Sequence, residues 1–282
     1  MSWIQTEQTF AWDMEAHLRL VTASFSNAMR DYFSIRTQAV MRIAGMMMEV
    51  AVWGMLGTLV QNPALQESLK LYGTPNMVTF MLSGLVISRL AYMIPIIHPY
   101  FFRSNYVTYH NRPFNIWVVA FAKSIDADFL WRLIALAIYV SFAAFIFKVR
   151  IDFLSVPFWL VILLGTLLGL GLNLFTAGWM VVTKGGQDPI TWFYGSTARL
   201  FTGELIPVAV LPPLLRYVSV AHPQTYVQML GKQTGIGGTK LADILPQLWV
   251  LIVATTIILL LGYFMLRISV KRARREGTLK WG

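Results

Sequence analysis

Gly203-Glu204-Leu205-Ile206-Pro207-Val208-Ala209-Val210-Leu211-Pro212-Pro213-Leu214-Leu215-Arg216-Tyr217-Val218-Ser219-Val220-Ala221-His222-Pro223-Gln224-Thr225-Tyr226 is apolar enough to lie in lipid, yet carries prolines at 207, 212, 213 and 223. Each proline removes a backbone donor and clashes with the turn before it, so no straight membrane-crossing helix can run through the stretch. Broken backbone at membrane depth is tolerated only where protein or a water-filled cavity surrounds it. The stretch therefore reads as a re-entrant segment that dips into the outer part of the bilayer and turns back. A kinked helix end followed by an ordinary loop is the alternative reading.

The composition around this stretch is that of an integral membrane protein. Of 282 residues, 56% are hydrophobic and 13% charged, about half the charged fraction of soluble domains. A span needs about 20 mostly apolar residues. Six such segments are found, at about 38–60, 77–97, 129–147, 156–182, 190–207 and 248–266. The fifth is the weakest, because it holds Arg199 and Glu204. The expected fold is all-α: a single transmembrane domain over 1–282, with six helices and the proline-broken segment and outer loop at 208–247 before the last span. Gly231, Gly235, Gly237 and Gly238 make the outer stretch 217–247 read as a flexible loop.

Ahead of the first span, residues 14–35 read as an amphipathic helix. Leu18, Val21, Phe25, Met29 and Tyr32 form one face at helical spacing. The segment is too polar to span and should lie in the membrane surface; a helix packed on the protein's own cytoplasmic side is the alternative. Acids at Glu7, Asp13, Glu15 and Asp31 argue against a signal peptide.

Lysine and arginine in the connections set the orientation. With both termini cytoplasmic, fifteen of the 23 Lys and Arg fall inside, counting Arg42 and Arg132 at the cytoplasmic ends of their spans, six fall outside, and two, Arg89 and Arg199, lie deeper within spans. Both termini inside requires an even number of spans, which six satisfies. The net charge of +10 is thus a topology signal, not a sign of nucleic-acid binding. The basic tail, 267–282, with Lys271-Arg272-Ala273-Arg274-Arg275, reads as an anchor beside anionic lipid.

Charge inside the spans is the main candidate for function. Glu49 lies about 15 Å deep in the first span and Arg89 about 12 Å deep in the second, counted from the cytoplasmic end at helical rise. Charges in membrane spans usually face the protein interior and pair, which predicts a Glu49–Arg89 ion pair, with holding two helices in register and lining a path as equal alternatives. Arg199 and Glu204, five residues apart, are poorly spaced to pair on one helix. Each should seek a partner on another helix or a cavity, making the fifth span a candidate path wall. The cytoplasmic loop 98–128 alternates Phe101, Phe102, Tyr106, Tyr109, Phe114 and Trp117 with Arg103, Asn105, His110 and Arg112. Such a surface suits a protein partner's pocket, and its aromatics equally suit an interfacial belt. Gly165 and Gly169 in the fourth span have the Gly-x-x-x-Gly spacing of close helix packing.

Several chemistries are not supported. There is no cysteine, hence no disulfide framework or thiolate metal site. Gly231-Lys232-Gln233-Thr234 lacks the upstream glycine of a Walker A loop, since Tyr226 stands there. The histidines at 17, 98, 110 and 222 have no metal-ligand spacing. No hydrolytic nucleophile motif is present.

The whole pattern resembles the membrane subunit of type-2 ABC exporters. These permeases carry a glycine, a proline, Leu-Pro, then a Pro-x-Thr-Tyr-like stretch, matched here by Gly203, Pro207, Leu211-Pro212 and Pro223-Gln224-Thr225-Tyr226. After the second span the family has a coupling helix, a Thr-Pro-like turn and a lysine, which would be 103–111, Arg112-Pro113 and Lys123. A glutamate common before that helix is missing, since 98–125 holds no acid. The resemblance implies a multi-pass permease in the plasma or inner cell membrane, paired with a second copy or a related permease. Two ATP-binding cassette subunits would dock on the coupling helices through Arg103, Tyr106, Tyr109 and Arg112. ATP and Mg would sit on those partners, and this chain would bind no cofactor or metal and catalyse no reaction. The second and fifth spans would line the path, and Gly203, Pro207, Leu211, Pro212 and Pro223 would belong to the outer gate. Cargo would be a hydrophobic drug, lipid or related amphiphile, with a lipid-linked glycan as the alternative. A membrane-embedded lipid-modifying enzyme or a scaffold is the reading of another class.

Overall fold

A computed structural model describes residues 36–60, 63–91, 127–183 and 197–276, together with positions 19, 22, 23, 26, 27, 30 and 195. Every regular element among them is helical. In chain order these are α1 (Arg36–Leu59), α2 (Pro63–Lys70), α3 (Met77–Ala91), α4 (Ala127–Phe145), α5 (Val156–Thr183), a 3-10 turn (Val208–Val210), α6 (Pro213–Ala221), α7 (Pro223–Gly235) and α8 (Leu241–Arg275).

Among the described residues, three helical stretches are long and apolar enough to cross a membrane: Ala39–Leu59, Val156–Thr183 and Leu241–Ala273. Met77–Ala91 and Arg132–Phe145 are shorter apolar stretches. The 35 residues of α8 extend about 52 Å at helical rise, well beyond a hydrocarbon core of about 30 Å. The last span thus continues without a break into the basic run at its end, where Arg272 pairs with Glu276 one turn on, at 2.7 Å. Positions 19, 22, 23, 26, 27 and 30 are helical and exposed; the remainder of the amphipathic segment, and the loop from 98 to 126, lie outside the described residues.

The core forms around α3, which packs against α1, α4, α5 and α7. Twelve of its 15 residues are buried, among them Phe80, Leu82, Leu85, Val86 and Ile87, so no face is left for lipid. A helix apolar all round, as this one is, belongs in an interior. Its start is fixed by Asn76, whose Oδ1 accepts from the Thr79 amide at 2.8 Å as an N-cap. On the other flank α5 and α8 form the closest helix pair. Gly171, Gly178 and Gly262 let their backbones meet: a Cβ at Gly178 would stand 2.7 Å from the Leu266 nitrogen. Gly165 serves a different contact, against Ala91 and Val227. The α5–α8 seam therefore uses glycines seven residues apart, not the spacing at 165 and 169.

The outer stretch corrects the expectation of a flexible loop. Residues 223–235 form α7, which is packed against α3, α5 and α8. Its glycines are there for proximity. A Cβ at Gly231 would stand 3.1 Å from Ile87, and one at Gly235 would stand 2.7 Å from Phe158. Gly237 meets Gly73, whose φ of +66° suits glycine, and so joins the turn after α7 to the turn before α3. The helix was hard to recognise because its mean polarity is that of a loop; buried partners satisfy that polarity.

Candidate functional site

The chain breaks where the prolines require it, and the break sets up the site. The helical stretch entering it ends at Phe201, Gly203 takes φ +77°, and Pro207 leads into the 3-10 turn. A helix end leaves its last carbonyls without intrahelical donors, and away from water each must be satisfied by protein. Here other segments supply the donors. Ser219 Oγ, on α6, donates to the Phe201 carbonyl. Lys232 Nζ, on α7, donates to the carbonyls of Gly203 at 2.5 Å and Glu204 at 3.1 Å. The Val208 amide donates to Tyr72 Oη at 3.0 Å. Arg216 folds back on its own turn, its Nε donating to the Leu211 carbonyl at 2.7 Å. Of the proline-motif positions, Leu211 is buried, and Pro213 and Pro223 open α6 and α7, where a missing amide is harmless.

Lys232 is fully buried, with its ammonium over the Phe80 ring at 3.3 Å from the centroid. Glu204 is also buried, at 4% exposure. Its carboxylate lies beside the Ser88 hydroxyl and in the field of Arg199, Lys232 and Arg89. Ser88 in turn accepts from Gln228 Nε2 at 2.6 Å, and the same amide reaches the Gly84 carbonyl at 3.2 Å. One polar chain thus runs from α7 through α3 to the break.

A second group of charges adjoins it. Arg89 Nη2 lies 3.5 Å from Glu49 Oε2 and donates to Tyr139 Oη at 3.0 Å. Tyr139 donates to Glu49 Oε2, and the Arg89 guanidinium stacks 4.9 Å above the Tyr139 ring. Arg199 Nη1 lies 3.5 Å from Glu49 Oε1. Glu49 is therefore shared by two arginines and a phenol from three other segments. The structure brings Glu49, Arg89, Arg199 and Glu204 into one neighbourhood and gives Arg199 and Glu204 partners on other helices. Arg103, Tyr106, Tyr109 and Arg112 lie outside the described residues. Among the described residues no group of three or more His, Asp or Glu could hold a metal ion.

Sequence reasoning missed Tyr139 and Lys232. Tyr139 carried a signal, a lone phenol within the third span. Lys232 did not, because its neighbours read as an outer loop.

Most of this cross-helix polar network lies within a segment of chain that matches a known family. The model of the ABC-2 type transporter membrane family matches residues 17–230. The chain belongs to that family. No match was found among curated proteins or among solved structures. As an ABC-2 protein it is a transmembrane subunit of an ABC transporter, a membrane protein that associates with an ATP-binding subunit. The match takes in Glu49, Arg89, Arg199, Glu204 and the proline motif; Lys232 and all of α8 lie beyond it.

The geometry gives a direct test of the shared carboxylate. Glu49→Gln leaves two partly exposed guanidiniums without their counter-charge, so thermal unfolding in detergent should show a loss of about 1–2 kcal/mol, between the exposed and the buried case. Adding Arg89→Gln should restore part of this, with a coupling of roughly 0.5–3 kcal/mol. Strictly additive losses would mean that the two side chains do not interact.

Proposed function

We propose that this chain is the permease of an ATP-driven exporter that moves a hydrophobic or amphipathic cargo outward. The family match over residues 17–230 carries the reading. The charge bias of the connections supports six spans with both termini cytoplasmic, and the apolar helices support placement in the cell membrane. Two copies, or this chain and a related permease, enclose the path, and two ATP-binding subunits dock on the loop 98–128 through Arg103, Tyr106, Tyr109 and Arg112. ATP and Mg act on those partners.

Within the chain, α3 and the segment bearing Arg199 and Glu204 form the wall of the path. Intramembrane charge of this density suits a water-accessible cavity better than a lipid face. The break at Gly203–Pro207 with α6 and α7 forms the outer, re-entrant gate. Glu49, held by Arg89 and Arg199, keeps α1, α3 and the fifth segment in register as the wall moves.

The test is a crosslinked pull-down of the tagged chain from its native membrane, followed by mass spectrometry and an ATPase assay. A stoichiometric partner with a Walker A motif supports the reading; its absence after crosslinking defeats it. Charge reversal at Arg103 and Arg112 together should then lower the ATPase recovered with the permease at least about tenfold, a loss of 1.4 kcal/mol or more in docking. Membrane insertion should be unaffected. Full recovery would move the docking site elsewhere.

A further inference from the structure

The charges around the break divide into two sets that differ in access. Glu204 and Lys232 are both sealed from solvent, at 4% and 0% exposure, and are of opposite formal charge. Glu49, Arg89 and Arg199 are reachable, with side chains 25%, 32% and 51% exposed. This reachable set holds one carboxylate and two guanidiniums, so one positive charge is left over. Arg89 spends its donors on Tyr139 and Glu49. Arg199 is the more exposed, and its ionic contact with Glu49 is a 3.5 Å approach, longer than a well-formed charged hydrogen bond. A guanidinium carries five donors, and an unbalanced one at membrane depth is costly unless water or an anion meets it.

Among the described residues the approach to this set is open. Gly45 lies one helical turn before Glu49, and Gly195 one turn before Arg199; both are exposed, and a Cβ at either would meet nothing within 4 Å. Residues four apart share a helix face, so each glycine leaves open space on the face that presents the charged side chain. Under the proposed topology both glycines lie on the cytoplasmic side of the cluster. Met48 and Val52, exposed on α1 next to Glu49, supply apolar surface at the same level.

We infer that Arg199 and Arg89, with Glu49 between them, form a binding site for one anionic group, a phosphate or carboxylate, carried on an amphipathic molecule that enters from the cytoplasmic side. Arginine suits this role because its planar fork matches both groups. Glu49 spaces the two guanidiniums and limits the site to a single negative charge. The inference rests on the reading that this face lines the transport path, and it names the cargo class: anionic amphiphiles over neutral or zwitterionic ones.

The experiment measures binding to the purified full-length chain, without ATPase, so that it is independent of the transporter reading. The probes are lysophosphatidylglycerol and lysophosphatidylcholine of the same acyl chain, and inorganic phosphate as competitor. The anionic lysolipid should bind at least about tenfold tighter, as a charge-assisted contact at a desolvated site allows. Arg199→Gln should abolish that preference, and Arg199→Lys should retain part of it. Competition by phosphate marks a site for the headgroup alone; lack of competition marks one that also needs the tail. Both support the site. If Arg199→Gln fails to fold, Gly195→Leu, which adds bulk one helical turn before Arg199, should remove the preference instead. Equal binding of the two lysolipids to the unaltered chain, or a preference that survives both Arg199→Gln and Gly195→Leu, overturns the inference. A preference present in a chain that captures no ATP-binding partner would keep the site and remove the transport reading.

Discussion

Lys232→Met is expected to be the most damaging single substitution outside the apolar core. Three separate losses coincide. The carbonyls of Gly203 and Glu204 lose their donor, the buried Glu204 carboxylate loses one of the cationic groups around it, and the contact of the ammonium with the Phe80 ring disappears. Each stranded buried carbonyl costs about 1–3 kcal/mol, and the lost ammonium–ring contact adds up to about 2 kcal/mol. Chemical unfolding in mild detergent measures the loss. The pairing has its own control. Adding Glu204→Gln to Lys232→Met removes a buried carboxylate that has one cation fewer around it and should recover part of the stability but not all, since the two carbonyls remain without a donor. Full recovery would mean that the carbonyl contacts contribute nothing. Lys232→Arg should not rescue the fold, because the larger planar head has no room in a site that is 0% exposed. In a complex with its ATP-binding partner, any Lys232→Met chain that folds should hydrolyse ATP without moving cargo, since the break and α7 would no longer move together.

Gly84→Ala is expected to come next, and to act at the same junction by sterics instead of charge. A Cβ at Gly84 would fall inside the contact distance of the Glu204 carbonyl oxygen and stand 3.1 Å from Lys232 Nζ. The obstacle is backbone, so no rotamer change can relieve it. Alanine in a helix interior would normally gain up to about 1 kcal/mol over glycine. Here overpacking should reverse the sign, with a net loss of about 1–3 kcal/mol and separation of α3 from the break. The comparison is Gly45→Ala, which meets nothing within 4 Å and should be neutral or slightly stabilising in the same unfolding assay. If Gly84→Ala behaved like Gly45→Ala, the close approach of α3 to the break would not exist in the folded protein.

Much of the architecture could be read from residue order because lipid is an undemanding solvent to reason about. A span must be apolar over about 20 residues, and proline cannot continue a helix. Those two rules place α1, α5 and the core of α8, and they place the break at Gly203–Pro207. Glu49 and Arg89 could be paired on paper because a charge in lipid needs a partner and their depths agree. The family motif follows from the same residues, since Gly203, Pro207, Leu211-Pro212 and Pro223 are the positions that shape the break.

Where the reading stopped, the reason is equally physical. Hydropathy is a sum along the chain, whereas burial is a property of neighbours in space. α7 has the polarity of a loop and four glycines in or just after it, yet it lies in the core, because Gln228 and Lys232 find Ser88, Gly84, Gly203 and Glu204 there. Those partners come from α3 and the break, about 30 to 140 residues away in the chain, beyond the reach of any local period. Tyr139 joins Glu49 and Arg89 for the same reason, as does Arg199. Lipid-crossing segments, the break and the sign of the charges at each depth follow from local chemistry. Which charges are sealed, which are shared and which remain open to a ligand depends on the packing of α1, α3, α4 and α7 around the break, because a charge in a low-dielectric interior is defined by what stands within a few ångströms of it.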